Sequence, residues 1–202
     1  MKSSLVIIQG NLKQTSEAQQ AYQNYLKGTV PLMQKYQVSI FAVGGGVQSK
    51  LCTDVFSVNA ILHFPSSKAV HAFFEDEDYQ KIKSQYRDPA YDSLELSLFQ
   101  LESACSPPSL GTGTLLLSSI FDQTSGIAPY FEATRLQTPS IQPQANASWS
   151  KCVFWMLEED LNEAQIHPVF KSDPLSVSDH SSFRLTHWIN RPPQIPNQSK
   201  FK

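Results

Sequence analysis

The 202-residue sequence lacks the features that mark several large classes of protein. No apolar run reaches the roughly 18 residues that a membrane-spanning helix requires. The net charge is −2 and only 17% of the residues are charged, so no basic surface favours nucleic acid or an anionic membrane. The first residues, MKSSLVIIQGN, have a short apolar run without a small-residue cleavage site, which predicts a first strand rather than a signal peptide.

Cysteine and the common metal and catalytic motifs are scarce as well. Cys52, Cys105 and Cys152 are odd in number and form no CxxC pair, which predicts reduced thiols in a cytoplasmic protein rather than a disulfide framework. The five histidines form no HxH or HxxxH pair, so we expect neither a metal nor a cofactor. No GxSxG elbow is present, and the glycine run at 44–46 lacks the Lys-Ser/Thr of a phosphate loop.

Apolar periodicity organises residues 1–104 into strand, helix, strand, strand, helix and strand. Thr15 or Ser16 is placed to cap the first helix, and Pro31 should kink or split that helix near Gly28-Thr29. The second helix follows Pro65-Ser66-Ser67 and is capped again at residues 75–77. The predicted strands are 5–8, 38–43, 55–64 and 94–98, and the helices run to residues 36 and 87. This order predicts an α+β, ferredoxin-like repeat.

The rest of the chain resembles a worn second copy of the first. A Ser-, Pro- and Gly-rich linker at 105–113 precedes predicted strands at 114–120, 152–157 and 183–187 and predicted helices at 127–136 and 162–170. The segment Val70-His71-Ala72-Phe73-Phe74 aligns with Ile166-His167-Pro168-Val169-Phe170. We therefore predict a degenerate repeat over 114–190 that lacks a clear second strand, and a loosely held tail at 191–202. The alternative is a chance likeness between short strand–helix units.

An ordered set of residues in the first half points to a known family. In chain order, the set comprises Tyr22 and Tyr25, Val30-Pro31-Leu32, Lys35-Tyr36, Gly44-Gly45, Phe64-Pro65-Ser66, Ala69, Tyr79 and Arg87. Through it, residues 4–101 resemble the bacterial domain-of-unknown-function family numbered 1330, of the dimeric α/β-barrel superfamily. Two places depart from the family pattern, since Val43 and His63 stand where an arginine and a glutamate are usual.

The resemblance implies an architecture in which two four-stranded sheets pair into a barrel, usually in a homodimer. Two fused copies would supply both sheets within one chain, so the resemblance implies tandem ferredoxin-like repeats in a dimeric α/β-barrel-like arrangement. The assembly would be a monomer with an internal pseudo-dimer, or a homodimer. A four-stranded sheet with helices on one face needs a cover for the other face, which is the physical reason for such pairing.

The superfamily also implies a range of functions, because it contains cofactor-free oxygenases, isomerases, cyclases, haem-degrading enzymes and binding proteins. Our leading hypothesis is a small cofactor-independent enzyme, of isomerase, cyclase or monooxygenase type, that acts on a hydrophobic or aromatic small molecule by proton transfer to a histidine. The alternative is a non-catalytic module that binds a small molecule or a protein. Fold alone does not choose between them.

Three residues are the candidate catalytic group. His63, on a strand, could be a general base or a structural histidine at the end of the sheet. Tyr79 and Arg87 lie eight residues apart on one predicted helix, which separates them by about 80° around the axis. Arg87 could stabilise a carboxylate or an enolate oxygen. The alternative is that Tyr79 and Arg87 anchor the end of the helix to the sheet.

Five further residues are candidates for substrate binding. Tyr22 and Tyr25 could line an aromatic pocket, and Asn59 shares the strand face of His63. His71 and His167 occupy equivalent places in the two aligned segments and could face one cavity. The alternative assigns the tyrosines to the core and both histidines to helix packing or to the solvent-exposed side of the helices.

Overall fold

In a computed structural model, the first half of the chain has the predicted order of strands and helices. The structure describes residues 2–44, 56–102, 112–118, 131–136, 138–142, 151–157 and 183–189. The elements of the first half are β1 (Ser4–Leu12), α1 (Ser16–Lys35), β2 (Ser39–Gly44), β3 (Val58–Phe64), α2 (Ser67–Glu75), α3 (Glu77–Ile82), a π-helical turn (Lys83–Arg87), α4 (Asp88–Ala90) and β4 (Tyr91–Leu101). The α+β class and the ferredoxin-like order of this half are therefore confirmed.

The second half contributes four more strands to the same sheet: β5 (Thr112–Ser118), β6 (Phe131–Leu136), β7 (Lys151–Leu157) and β8 (Phe183–Ile189). The strand order is β2-β3-β1-β4-β6-β7-β5-β8, and each pair is antiparallel. Within each group of four strands, the order is second, third, first, fourth. The sheet curls, since the edge strands β2 and β8 approach each other.

Strand alternation gives the sheet of the first half two different faces. One face carries Val6, Phe64, Leu96 and Leu98, which pack against the helices in a buried core. In the strand predicted at 94–98, Leu96 and Leu98 belong to this core and Leu94 packs against it. Leu136 of β6 also packs there, beside its cross-strand partner Leu98. The helix-covered core therefore extends across the junction between the two halves.

The opposite face is equally buried, although none of the helices that the structure describes covers it. Leu5, Phe41 and Leu101 are 0% exposed, and Phe99 is 2% exposed. The register places Leu5 beside Phe99. Each is adjacent in sequence to a residue of the helix-covered face, Val6 or Leu98, so both side chains point to the opposite face. A flat sheet would leave these side chains in water, at a cost of roughly 2 kcal/mol each. The curling of the sheet encloses them instead.

The ends of α1 follow from local sequence. The Thr15 hydroxyl accepts a hydrogen bond from the Ala18 amide at 3.2 Å, so Thr15 is the N-cap. At the other end, the Val38 amide donates to the Met33 carbonyl and the Gln37 amide donates to the Gln34 carbonyl. This pair of bonds is a Schellman motif, and it holds Gln37 at a φ of 55°, a conformation that favours glycine.

Four predictions about the elements need correction. First, α1 is one continuous helix through Pro31 and is not split, because buried Leu32 and partly buried Tyr25 and Met33 pack on both sides of the proline. Second, residues 131–136 form strand β6 rather than a helix. Third, β6 occupies the place of a second strand, which the second half was predicted to lack. Fourth, β5 begins at Thr112, inside the predicted linker.

Other predictions about the second half have mixed outcomes. The strands predicted at 114–120, 152–157 and 183–187 correspond to β5, β7 and β8 and are confirmed. The helix predicted at 162–170 and the tail at 191–202 lie outside the described residues. Among the residues that are described, no helix combines the length and the apolar character needed to cross a membrane.

Asp76 links the end of α1 to the start of α3. Its carboxylate accepts hydrogen bonds from Lys35 Nζ and the Tyr36 hydroxyl at the end of α1, both at 2.7 Å. It also accepts from the Asp78 amide at 2.8 Å and so caps α3, where a cap was predicted. The Lys35 ammonium and the Tyr36 hydroxyl hold the pKa of Asp76 well below its usual range.

The left-handed residue at the end of α1 generates a stability prediction. Glycine adopts a φ of 55° without the steric cost that a side chain incurs. We expect Gln37→Gly to raise the free energy of unfolding by about 1 kcal/mol, measured by urea denaturation. Gln34→Gly is the matched control, because this exposed helical residue should lose about 1 kcal/mol on the same change. Equal effects of the two changes would contradict the prediction.

The Asp76 carboxylate generates a prediction about pH. We expect Asp76→Asn to lower the free energy of unfolding by about 1 kcal/mol at neutral pH, since it removes the charge but keeps a capping oxygen. Because the folded-state pKa lies below the ordinary 3.8, the contribution is complete above about pH 5 and is lost as the pH falls through 3.8 towards the folded value. The difference in the free energy of unfolding between the two proteins should be constant above about pH 5 and should shrink as the pH falls from 5 to 2.5. A difference that stays constant over the whole range would rule this out.

Candidate ligand-binding cleft

The helical segment of residues 77–90 changes its winding just before the predicted catalytic arginine. The π-helical turn from Lys83 to Arg87 is closed by a hydrogen bond from the Asp88 amide to the Lys83 carbonyl. Pro89 has no amide hydrogen, so the normal helical bond cannot form at that position. In a π turn, successive residues are rotated around the helix axis by less than the 100° of an α-helix. The angle around the axis between Tyr79 and Arg87 is therefore smaller than the predicted 80°. Such turns are frequent at functional sites.

Arg87 is buried, with 3% of its surface exposed. Its Nη1 donates to the Tyr79 hydroxyl at 2.9 Å and its Nη2 donates to the Gln142 carbonyl at 3.1 Å. Asp88 Oδ1 accepts from Nε at 2.9 Å and lies 2.8 Å from Nη2. Four contacts therefore engage a side chain that has five N–H donors and stays charged in proteins.

Two tyrosines complete the surroundings of Arg87. Tyr79 is 1% exposed, and its hydroxyl is hydrogen-bonded to that of Tyr25 on α1. Burial raises the pKa of Tyr79 and raises that of Tyr25 well above its usual range, so both hydroxyls keep their protons at neutral pH. The close approach of α1 depends on Gly28, where an added Cβ would lie 3.3 Å from Ile82.

A cleft of about 380 Å³ opens above this group. We name it the Arg87 cleft, and its described lining consists of Phe74, Glu75, Tyr79, Gln80, Lys83, Arg87, Pro139, Ser140 and Gln142. One wall belongs to the helices of the first half and the other to residues 139–142 of the second half. Apolar, cationic, anionic and hydroxyl groups therefore meet in a volume within the range of small-molecule sites.

A second set of hydrogen bonds lies at the edge of the Arg87 cleft. Ser140 Oγ lies 3.0 Å from His71 Nδ1 and donates a short hydrogen bond to Glu75 Oε1. Thr138 Oγ1 lies 3.1 Å from the same histidine nitrogen. Ile141 is 1% exposed and packs in the helix-side core, which fixes this segment against α2.

Three of the predicted site residues come together and two are their neighbours. Tyr25, Tyr79 and Arg87 form one hydrogen-bonded group. Tyr22 lies next to it and packs edge-on against Tyr91, with ring centroids 5.9 Å apart. His71 reaches the edge of the cleft through Ser140. His167 lies outside the described residues, so its predicted pairing with His71 stays a prediction.

His63 and Asn59 lie on the other face of the sheet. His63 pairs with Leu5 in the register, on the face enclosed by the curl, and its Nδ1 is 3.5 Å from Ser39 Oγ. Its Nε2 is buried and has no hydrogen-bond partner among the described residues, and burial lowers its pKa. Asn59 accepts a hydrogen bond from Gln9 at 3.1 Å. The sheet separates both residues from Arg87.

Sequence comparison matches most of the first half of the chain to a known family. Residues 10–96 match the family described as Domain of unknown function (DUF1330). The predicted resemblance is therefore confirmed over the DUF1330 region, which contains Tyr25, Tyr79 and Arg87. The region ends before residues 138–142, so part of the Arg87 cleft lies outside it. Among proteins of curated function, none matches the chain.

Solved structures resemble the chain at low identity. A protein of unknown function from Rhodopseudomonas palustris is 14% identical over 54% of this chain and 83% of its own, with a TM-score of 0.43. A dimeric ferredoxin-like protein of unknown function from Bacteroides fragilis is 10% identical over 48% of this chain and 95% of its own, with a TM-score of 0.36. A candidate monooxygenase from Fusobacterium nucleatum is 9% identical over 94% of this chain and 93% of its own, with a TM-score of 0.47.

Several residues that line the cleft were not predicted from the sequence as site residues. Glu75 was noted only near a helix cap, and Ser140 and Gln142 fall in a stretch without a periodic pattern. Their contacts with the helices span 55 to 69 residues, so no local spacing signals them. Within the part of the chain that the structure describes, no group of three or more His, Cys, Asp or Glu side chains is placed to hold a metal ion.

The buried bond between Tyr79 and Arg87 generates a stability prediction. Tyr79→Phe would leave the Nη1 donor without its acceptor in a buried site, at a cost of about 1 to 3 kcal/mol in the free energy of unfolding. Urea denaturation measures this change. Tyr86→Phe on the same helical segment is the matched control and should cost less than about 0.5 kcal/mol. An unchanged free energy of unfolding in Tyr79→Phe would mean that this hydrogen bond contributes nothing to stability.

Proposed function

We propose that the Arg87 cleft binds a small hydrophobic or aromatic molecule that carries an acidic oxygen, such as a carboxylate or an enolate. The observation that carries the proposal is a permanently charged guanidinium on the floor of a cleft whose lining includes Phe74 and Pro139. Burying a charge is costly, so a cation at the base of a small cavity favours an anionic ligand group there.

The other cleft residues support the same ligand class. Lys83 adds a second cationic side chain to the lining, and Tyr79 adds a hydroxyl that keeps its proton. Asp88, which pairs with Arg87, is not part of the described lining. The apolar part of the ligand would pack against Phe74 and Pro139.

For the chemistry, we propose a small cofactor-independent enzyme of isomerase, cyclase or oxygenase type. Removal of a proton from the bound molecule would place negative charge on an oxygen, and Arg87 with Tyr79 would stabilise that oxygen. His63 cannot be the base for this cleft, because the sheet lies between them. A role for His63 is restricted to a ligand enclosed by the curled sheet.

For the architecture, we propose that residues 114–190 are a diverged copy of residues 1–104. Support comes from the shared strand order, second, third, first, fourth, in both groups. The junction of β4 with β6 and the approach of β8 to β2 are the two contacts that an internal pseudo-dimer requires. The chain would then act as a monomer, and a homodimer would need a further surface.

The second candidate function is a non-catalytic module that binds a small molecule or a protein. The four contacts of Arg87 favour it, because they tie residues 87 and 88 to Tyr79 and to the Gln142 carbonyl. In that case the guanidinium has a structural role and holds the helical segment against Gln142 of the second half.

A ligand screen tests the proposed site. Thermal unfolding would be followed with a panel of aromatic, polyketide-like and terpenoid compounds, each with and without a carboxylate or an enolisable carbonyl. A ligand at about 100 times its dissociation constant adds about 2.7 kcal/mol to the native state. We expect the acidic members to stabilise the protein and the neutral members to do so less.

Two lysine variants locate the binding. Lys83→Gln should weaken an acidic ligand about fivefold, which corresponds to about 1 kcal/mol. Lys81→Gln is the matched control on the same segment, outside the described lining, and should leave the affinity unchanged. His63→Ala should also leave it unchanged. Equal affinity in wild type and Lys83→Gln, or a loss of affinity in His63→Ala, would show that the ligand binds outside the Arg87 cleft.

A further inference from the structure

The hydrogen-bonded set at the edge of the cleft adds a specific role to the proposed function, on which this inference rests. We infer that Glu75 is the general base of the Arg87 cleft, positioned by Ser140 and His71, and that its substrates are aromatic 2-oxo acids with a C–H bond next to the carbonyl. The carboxylate of such a molecule would bind at Arg87.

The composition of the cleft identifies Glu75. Of the described residues that line it, Glu75 is the one with a carboxylate. Arginine and lysine are cationic, glutamine amides are poor bases, and Tyr79 keeps its proton because burial raises its pKa. Glu75 is also exposed to solvent, so a proton that it accepts can pass to water.

The direction of the hydrogen bonds supports this assignment. The Ser140 hydroxyl gives its single proton to Glu75 Oε1, so Ser140 Oγ is an acceptor for His71 Nδ1. The Thr138 hydroxyl also donates to Ser140 Oγ, at 3.4 Å. The set therefore runs from His71 through Ser140 to Glu75 and orients one carboxylate oxygen. The second oxygen, Oε2, has no described partner and is the atom that would take the proton.

The cationic groups and the carboxylate of the cleft lie on different helical elements. Lys83 and Arg87 belong to the π turn, and the Tyr79 hydroxyl lies 2.9 Å from Arg87 Nη1. The Glu75 carboxylate lies at the end of α2, next in sequence to Phe74. A 2-oxo acid has the same arrangement, with a carboxylate, an adjacent carbonyl and then an acidic carbon that bears the aromatic group. Contact between the carboxylate and Arg87 would direct the acidic carbon towards Glu75.

The proposed step balances without a cofactor. Glu75 Oε2 takes a proton from the carbon, and the C–H electron pair forms the carbon–carbon double bond of the enolate. The carbonyl π electrons move to its oxygen, where Tyr79 and Arg87 stabilise the charge. Return of a proton from Glu75 to carbon restores the substrate, and a proton from solvent on Glu75 leads to isotope exchange. No oxidant or reductant is consumed.

The test uses phenylpyruvate in D₂O, with loss of its C3 proton signal followed by proton NMR. The full chain should accelerate exchange over the rate without protein, and Glu75→Gln should lower the accelerated rate by at least about 100-fold. Glu75→Asp, which withdraws the carboxylate by one methylene, should be intermediate. Ser140→Ala should slow the exchange while leaving ligand affinity unchanged. Glu77→Gln is the matched control, an exposed glutamate outside the described lining, and should exchange at the wild-type rate.

Binding is measured separately with 3-phenylpropanoate, which has the ring and the carboxylate but no carbonyl. Titration calorimetry should show that Glu75→Gln binds this carboxylate at least as tightly as wild type, because the change removes a negative charge from the lining, and that Lys83→Gln binds it more weakly. Binding without accelerated exchange of phenylpyruvate would overturn the role of Glu75 and leave the proposed binding site intact. Absence of binding would overturn both. Full exchange by a folded Glu75→Gln protein would also overturn the role of Glu75.

Discussion

The constraint on which the structure depends is that the sheet of the first half carries large apolar side chains on both faces, and both sets must be buried. The helices bury one face, which carries Val6, Leu96 and Leu98. The other face carries Leu5 and Phe99, and it is dry only because four more strands continue the sheet and the whole sheet curls. Hydrophobic burial thus couples the two halves, although the helices of the first half lie on one side only.

The same coupling builds the Arg87 cleft from both halves. The helices contribute the cationic floor, and residues 138–142 contribute the opposite wall and hold it with Ile141 in the core. A buried guanidinium is stable only where hydrogen-bond acceptors surround it. Here the acceptors come from Tyr79, Asp88 and the carbonyl of Gln142. The charge that makes the cleft suitable for an anion therefore also helps to assemble it.

Two polar groups on one chain are kept apart by the sheet. His63 and Asn59 face the enclosed side, whereas Tyr25, Tyr79 and Arg87 lie on the helix side. His63 and Arg87 therefore do not face the same cleft. The helix-side group has an open cleft and charged side chains of both signs, and for this reason we propose it, rather than the enclosed side, as the ligand site.

Local interactions were readable from the sequence because they act over a few residues. The period-two alternation at 94–98, the Thr15 cap and the cap at Asp76 depend on near neighbours, and so does the pairing of Tyr79 with Arg87 on one helical segment. The continuity of α1 through Pro31, the strand at 131–136, and the contacts of Glu75 with Ser140 and of Arg87 with Gln142 depend on residues up to 65 positions apart. Only tertiary packing decides these features, because the free energy of burying apolar surface exceeds local preferences and leaves no periodic signal.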